Sequence, residues 1–258
     1  MQLNFKQSGQ GEALIILHGL MGSLDNWQSV VKVLSEFYTV YTLDQRNHGK
    51  SPHSDAFSYD LLASDLLDFM DQQHIAKASI IGHSMGGKAA MHFALLHPER
   101  VNKLIVSDIS PSVYEDRHNL VFKALKAVDL ATSTTREEVQ HVIEQFIDEQ
   151  STVLFLMKGL YRDAYNQFQW RFNVPALDAH YIDISDFPEH SNNFSGKTLF
   201  VKGENSDYIN ASNYPDIIRY FPQHDIAEIP NAGHWVHADN PQLFCSTVLD
   251  FLKNKSKS

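Results

Sequence analysis

The chain has 258 residues, 43% of them hydrophobic and 20% charged, which is ordinary for a globular protein and too apolar for a disordered chain. Its formal net charge of −10 offers no positive field to a nucleic-acid backbone or an anionic membrane surface, so we expect neither as a partner. Residues 1–11 lack the pattern of an export signal, no apolar run reaches the roughly 18 residues of a membrane span, and the lone Cys245 cannot form an internal disulfide, so the expected location is the cytoplasm.

Strand and helix patterns alternate along most of the chain. Short apolar runs predict strands at residues 14–17, 38–43, 78–81, 103–106, 198–201 and 225–229. Helical patterns occupy residues 27–35, 59–74 and 88–97, and a last helix is expected from Pro241. Strands that alternate with helices predict an α/β fold, with a mostly parallel central sheet and helices on both of its faces.

The alternation stops after Pro111. Residues 112–186 carry helical patterns and little strand signal, and the capping box at residues 135–138 predicts the start of one helix. Because this stretch follows one sheet strand and precedes the next, we expect a helical cap over the carboxyl ends of the strands. The predicted organisation is a core formed by residues 1–111 and 187–258 and a cap formed by residues 112–186, with a solvated tail at residues 253–258.

A candidate nucleophile stands at a predicted strand-to-helix turn. The segment Gly-His-Ser-Met-Gly-Gly at residues 82–87 is a G-x-S-x-G pattern that follows one predicted strand and precedes a predicted helix. In that setting the turn exposes Ser84, and the free N–H groups at the start of the helix favour developing negative charge. We therefore predict Ser84 as the nucleophile and the Met85 N–H as an oxyanion donor.

A serine hydroxyl needs a general base at neutral pH, and histidine is the usual choice. His234 lies in a loop between the last predicted strand and the last predicted helix, and it is the predicted base, with His237 as second choice. The acid that orients the base is left open by the pattern, because Asp108 and Asp207 both follow predicted strands. The loop at residues 17–22 follows an early strand, and we predict the Leu20 N–H as the second oxyanion donor.

These motifs together resemble the α/β-hydrolase superfamily over nearly the whole chain. Four segments more narrowly resemble the YbfF-type bacterial esterases: Gly-Ser-Leu-Asp-Asn at residues 22–26, Arg-Asn-His-Gly at 46–49, Trp-Arg-Phe-Asn-Val-Pro at 170–175 and Gly-His-Trp-Val-His-Ala at 233–238. The resemblance implies an α/β-hydrolase fold, a four-helix-like cap, no metal or organic cofactor, and carboxylesterase or acyl-coenzyme A thioesterase activity. In that subgroup the acid lies in an Asp-Ile-Ala/Ser-Pro segment, which favours Asp108. The subgroup otherwise has a non-acidic residue at the position of Asp207, so that aspartate stays the alternative.

The expected substrate is a small-molecule ester or acyl thioester. Other chemistry that uses the same three residues stays open, namely cofactor-free haloperoxidase or carbon–carbon bond hydrolysis, as does a ligand-binding module with little turnover. An apolar acyl pocket is suggested by side chains of the predicted cap: Phe122, Phe155, Leu156, Tyr161, Phe168 and Trp170. No heptad pattern is present, and we expect a monomer or a weak homodimer.

Overall fold

Residues 1–254, which the computed structural model describes, form nine β-strands and eleven α-helices. Residues 255–258, most of the tail expected to be solvated, lie outside the described residues. Seven strands build the central sheet in the order β1-β3-β2-β4-β5-β8-β9, and only β1 runs antiparallel to its neighbour. The strands are β1 Phe5–Ser8, β2 Ala13–Leu17, β3 Thr39–Leu43, β4 Ala78–His83, β5 Val101–Ser107, β6 Leu160–Arg162, β7 Phe168–Trp170, β8 Thr198–Gly203 and β9 His224–Ile229.

The helices fall into two groups along the chain. Those associated with the central sheet are α1 Gln28–Leu34, α2 Tyr59–Gln72, α3 Met85–Leu96, α9 Tyr214–Tyr220, α10 Val236–Asp239 and α11 Pro241–Lys253. Between β5 and β8 lie α4 Asn119–Ala127, α5 Arg136–Glu144, α6 Gln150–Lys158, α7 Val174–Ala179 and α8 Tyr181–Ser185, together with the β6–β7 hairpin. Of the helices formed by residues 1–254, none has the length and hydrophobicity needed to span a bilayer.

Apolar side chains of the sheet point alternately to its two faces. On each face they are buried against a layer of helices. In β2, Ile15 and Leu17 belong to the cluster that contains residues of α2 and α3, while Leu14 and Ile16 belong to the cluster that contains residues of α1 and α11. All four side chains are almost fully buried. Burial of one such side chain stabilises the fold by about 1.5–3 kcal/mol, so the continuous apolar runs fix the sheet between the helices.

The predicted mostly parallel sheet with helices on both faces is confirmed, and the differences lie in short elements. All six predicted strands are present in the central sheet, and helix α3 begins three residues earlier than its pattern indicated. Strand β1 was missed because it is a short edge strand of mostly polar residues, with Lys6 and Gln7 exposed. The stretch of residues 112–186 is mostly helical as predicted, and its two short strands were missed because strands of three residues carry too few positions to show a period.

The parallel strands bring distant parts of the chain to one edge of the sheet. The loops that follow β2, β4, β5, β8 and β9 all leave from the carboxyl ends of adjacent strands. In open α/β sheets such ends form the crevice where ligands bind. Residues of α4 and α6 line the same cavity as these loops, so the insertion of residues 112–186 covers this edge. The division into a separate core and cap stays a prediction.

Candidate active site

Ser84 occupies a strained turn between β4 and α3. Its backbone has φ 52° and ψ −122°, a region that L-residues rarely adopt, and it is the N-cap residue of α3. Its N–H donates to Ser107 O at 3.1 Å, which ties the turn to the neighbouring strand β5. Strain of this kind persists only where the surroundings hold it, and it is frequent at functional sites.

Two glycines around Ser84 are required by close backbone contacts. A Cβ atom on Gly82 would lie 2.2 Å from Gly86 O, and one on Gly86 would lie 2.4 Å from His18 O. Both distances are far below van der Waals contact, and the opposing atoms are backbone atoms that cannot rotate away. The glycines therefore let α3 start directly against the end of β2, with Ser84 between them.

His234 and Asp108 are brought into direct contact by the ends of β9 and β5. The imidazole Nδ1 of His234 donates to Asp108 Oδ2 at 2.8 Å, and Asp108 is completely buried. Asp108 Oδ1 accepts from the Gly203 N–H at 3.0 Å, and Oδ2 also accepts from Ser206 Oγ. The carboxylate is thus held by three donors, and the Nδ1 bond leaves His234 Nε2 without a proton when the ring is neutral.

Asp207, the alternative acid, points elsewhere. Its carboxylate forms an ion pair with the Arg117 guanidinium, and 75% of its side chain is exposed. The Arg117 guanidinium lowers the pKa of this carboxyl by donating a hydrogen bond to it. Of the two aspartates that the sequence left open, only Asp108 hydrogen-bonds to His234 in the structure.

Two further side chains hold His234 in place, and neither contact is predicted by a pattern in the sequence. His83 Nε2 donates to the His234 carbonyl oxygen at 2.9 Å. The Tyr208 ring stacks on the His234 imidazole with 3.8 Å between ring centroids and 17° between planes. The Arg117 guanidinium lies 4.4 Å from the centroid of the Tyr208 ring. No motif marks Tyr208, because stacking between distant loops leaves no spacing pattern in the sequence.

The loop at residues 18–22 is fixed by two buried histidines. His18 Nε2 accepts from the Gln45 N–H at 3.0 Å, and its Nδ1 donates to Gly19 O at 2.8 Å. His48 Nε2 accepts from the Met21 N–H at 3.0 Å, and its Nδ1 donates to Arg46 O at 2.8 Å. The Arg-Asn-His-Gly segment entered the sequence analysis only through its resemblance to YbfF-type esterases, and the contact of His48 with the loop at residues 18–22 was not predicted.

The charge state of these histidines follows from their burial. Burial lowers the pKa of His18 to about 4 and that of His48 to about 3, because a protonated imidazole loses its hydration there. Both rings are therefore neutral at pH 7. Only a neutral ring has the acceptor nitrogen that the bonds from the Gln45 and Met21 N–H groups require. Protonation of either histidine would therefore break the bond that it accepts.

The residues of the two predicted oxyanion donors line a pocket together with Ser84. Leu20 and Ser84 line the same cavity, and Met85 joins them in a smaller adjoining pocket. Within residues 1–254, the backbone N–H groups of Leu20 and Met85 donate no hydrogen bond to the protein. A Cβ on Gly19 would lie 3.2 Å from Ser84 Cβ, so the loop passes close to the serine.

A cavity of about 560 Å³ opens in front of Ser84 and His234. This is the size of a site for a small molecule. The insertion contributes both apolar and polar side chains to its wall. Val121, Phe155 and Leu156 are among the apolar ones, and Arg117 and Lys158 are among the charged ones. Of the six cap side chains proposed for an acyl pocket, only Phe155 and Leu156 line this cavity. Phe122, Phe168 and Trp170 are buried in the apolar core instead, and Tyr161 does not line the cavity either.

Ser84 and His234 both line the cavity. Among the hydrogen bonds of residues 1–254, none joins Ser84 Oγ to His234. Such bonds are often long before substrate binds. Among the described residues, no group of three or more histidine, cysteine, aspartate or glutamate side chains is arranged to hold a metal ion.

Comparisons with known proteins agree with this architecture. The family model for the alpha/beta hydrolase fold matches residues 12–241. The sn-1-specific diacylglycerol lipase ABHD11 of Danio rerio is 42% identical over 257 residues, covering 96% of this chain and 81% of the relative. Esterase YbfF of Escherichia coli K12 is 35% identical over 260 residues, covering 98% of this chain and all of the relative. The solved structure of a marine microorganism esterase is 40% identical with a TM-score of 0.95, covering 97% of this chain and 99% of that chain. The chain therefore belongs to the α/β-hydrolase family and has esterases of the YbfF type among its relatives.

Proposed function

We propose that this chain is a hydrolase that cleaves carboxylic esters or acyl-coenzyme A-type thioesters through Ser84, His234 and Asp108. The family membership and the esterase and lipase relatives support hydrolysis of esters. The observation that carries the proposal is the 2.8 Å hydrogen bond from His234 Nδ1 to the buried Asp108, beside a cavity that also exposes Ser84. The thioester part of the proposal rests on the resemblance of the sequence to YbfF-type enzymes.

In the proposed first step, His234 Nε2 takes the proton from Ser84 Oγ as the oxygen attacks the substrate carbonyl carbon. Asp108 keeps the Nδ1 proton in place and stabilises the imidazolium that forms. The N–H groups of Leu20 and Met85 donate to the oxyanion of the tetrahedral intermediate. The intermediate then expels the alcohol or thiol, which receives its proton from His234, and leaves an acyl group on Ser84.

In the second step, His234 takes a proton from a water molecule that attacks the acyl-enzyme. The second tetrahedral intermediate collapses, Ser84 regains its proton from His234, and the carboxylic acid is released. No redox change occurs in either step. The chemistry uses side chains and backbone amides of this chain alone.

The size of the cavity and the apolar part of its lining support a substrate with an apolar acyl group. Val121, Phe155 and Leu156 contribute apolar side chains to the wall formed by the insertion. A cavity of about 560 Å³ holds more than an acetyl group. We therefore expect acyl groups of medium length to be hydrolysed faster than acetyl groups, because each buried methylene adds about 0.8 kcal/mol of binding energy.

The test is steady-state hydrolysis of p-nitrophenyl esters from acetyl to dodecanoyl and of the matching acyl-coenzyme A thioesters. Wild type should show a chain-length optimum, and Ser84→Ala should lower kcat/KM by about 10⁴-fold or more, as expected when a triad member is lost. Ser246→Ala, which changes an exposed serine of α11, is the matched control and should match wild type. Full activity in Ser84→Ala, or a wild type that hydrolyses no member of either series, would contradict the proposal.

A further inference from the structure

A buried lysine lies one helical turn after Ser84. Lys88, on α3, is 2% exposed, and its Nζ donates to three backbone carbonyls: Ser112 O at 2.9 Å, Ser185 O at 2.7 Å and Asp186 O at 2.9 Å. The Tyr114 ring lies 4.8 Å from the same nitrogen. Three acceptors match the three N–H groups of an ammonium, whereas a neutral amine has only two.

The three carbonyls belong to the two stretches of chain that join the insertion to the rest of the protein. We call residues 108–118 the outgoing segment and residues 185–197 the returning segment. Ser112 lies in the first, and Ser185 and Asp186 lie in the second. The two segments also meet directly, because the Tyr114 N–H donates to Ser185 O at 3.0 Å. Lys88 therefore binds both segments where they lie side by side.

Other contacts from the same side of the sheet hold the chain at this point. Tyr59 Oη, at the start of α2, donates to Ile184 O at 2.7 Å, next to the returning segment. His92 lies one helical turn beyond Lys88 and shares a hydrogen bond of 2.9 Å with His190 of the returning segment. Helix α3 thus carries Ser84 at its start and binds the returning segment through Lys88 and His92.

Burial opposes the positive charge of Lys88. Burial of an ammonium is costly, and burial lowers the pKa of Lys88 to about 7. Its Nζ contacts carbonyl oxygens and forms no ion pair with a carboxylate among the described residues. An apolar side chain of similar length would avoid the cost of burying a charge but would remove the donor for these carbonyl oxygens. What the ammonium adds is a fixed geometry for three carbonyls from two segments.

We propose that Lys88 is a positioning residue that holds the outgoing and returning segments on the nucleophile helix and thereby sets the acyl-chain selectivity of the cavity. The inference rests on the proposed esterase function. The insertion supplies Val121, Phe155 and Leu156 to the cavity that Ser84 also lines. Other contacts also hold the insertion on the core, such as the bond from the Asn173 N–H to Asn47 O at 2.9 Å. The chain enters and leaves the insertion through the two segments, however, so a shift of these segments changes the distance between that wall and Ser84.

The test compares Lys88→Met with a matched control, Lys103→Met. Lys103 Nζ also donates to three backbone carbonyls, those of Phe251, Leu252 and Asn254, but these lie at the end of α11. The readout is kcat/KM for p-nitrophenyl esters of increasing acyl length, with kcat and KM resolved. Lys88→Met should lose at least about tenfold on the best long-chain ester, mainly through KM, and much less on the acetyl ester, because misplacement remote from the reacting atoms has effects of this size. Lys103→Met should keep the wild-type profile.

A milder variant tests the inference if Lys88→Met does not fold. Tyr59→Phe removes one hydroxyl hydrogen bond beside the returning segment, so it should fold and shift the chain-length profile in the same direction by a smaller factor. Amide hydrogen exchange provides a readout of position, and both segments should exchange faster in Lys88→Met than in Lys103→Met.

The outcomes separate this inference from the proposed function. A wild-type chain-length profile and unchanged exchange in folded Lys88→Met would overturn the role of Lys88 and leave the esterase proposal intact. If Lys88→Met does not fold, a wild-type profile in Tyr59→Phe overturns the inference. A wild type that hydrolyses no ester overturns the proposed function, and this inference with it.

Discussion

At the scale of single residues, the strongest sequence signals are those that depend on local backbone geometry. The G-x-S-x-G pattern located Ser84 because the turn itself requires the glycines, as the close approach of Gly86 to His18 O demonstrates. The acid stayed open because Asp108 and Asp207 both follow strands, and only the folded chain reveals that one contacts His234 and the other Arg117. Tyr208 could not be predicted from the sequence for the same reason, since its stacking partner His234 lies in another loop.

The two aspartates provide a direct comparison. Asp108→Asn should lower kcat/KM by about 10⁴-fold, because the amide no longer fixes the tautomer of His234 or offsets the imidazolium charge. Asp207→Asn should retain activity within about threefold, because it breaks only an exposed ion pair with Arg117. Steady-state kinetics of both variants on one ester checks the prediction. A larger loss in Asp207→Asn than in Asp108→Asn would reverse the assignment of the acid.

At the scale of elements, apolar periodicity predicted the sheet well and short polar elements poorly. Buried strands such as β4 appear in the sequence as nearly continuous apolar runs, because both faces of the sheet are covered by helices. The edge strand β1 and the three-residue strands β6 and β7 have no such run, and their positions depend on pairing with distant residues. The helix that follows the capping box at residue 135 was found correctly, because the box is a local interaction.

The close packing of the start of α3 against the end of β2 can be tested by substitution of Gly86. Gly86→Ala places a Cβ 2.4 Å from His18 O, which forces α3 away from β2 and should lower the free energy of unfolding by more than about 3 kcal/mol. The matched control is Gly233→Ala, whose Cβ meets its nearest atom at 3.5 Å, an ordinary contact. Denaturant unfolding of both variants measures the difference. Equal stabilities would mean that the turn relaxes more easily than its packing indicates.

The loop at residues 18–22 depends on an acceptor nitrogen from the turn at residues 46–49. His48→Phe leaves the buried Met21 N–H without its partner, which costs about 1–3 kcal/mol, and should lower kcat through displacement of the Leu20 N–H. His48→Gln keeps a side-chain acceptor and should recover part of the lost kcat. If both variants have the same kcat as wild type, this hydrogen bond does not support an oxyanion donor.

At the scale of the whole molecule, the buried histidines predict a strong loss of stability in acid. Burial lowers the pKa of His18 and His118 to about 4 and that of His48 and His237 to about 3, against 6.5 in an unfolded chain. Above pH 6.5 these rings are neutral in both states. As the pH falls from 6.5 towards 4, the unfolded chain binds protons that the folded chain does not. Each ring then lowers the free energy of unfolding by up to about 1.4 kcal/mol per pH unit.

Denaturant unfolding at about pH 7.5 and about pH 5 measures this effect, and stability should be several kcal/mol lower at the acidic pH. His237→Phe offers a control, because His237 Nδ1 has no hydrogen-bond partner within residues 1–254 and the ring stacks on Trp27. The phenyl ring can keep that stacking while removing one titrating group, so the variant should lose less stability between the two pH values than wild type. Equal stability of wild type at both pH values would be incompatible with neutral, buried imidazoles.

The central claim is that Ser84 is an activated nucleophile whose base is His234. Its most direct test is peptide-mapped mass spectrometry after brief treatment with a fluorophosphonate, with wild type beside His234→Ala. We expect one phosphonyl adduct on the peptide that contains Ser84 in wild type and a much slower reaction in His234→Ala, because the base is missing. Absence of an adduct on Ser84, labelling of another serine instead, or an equal labelling rate without His234 would contradict the account.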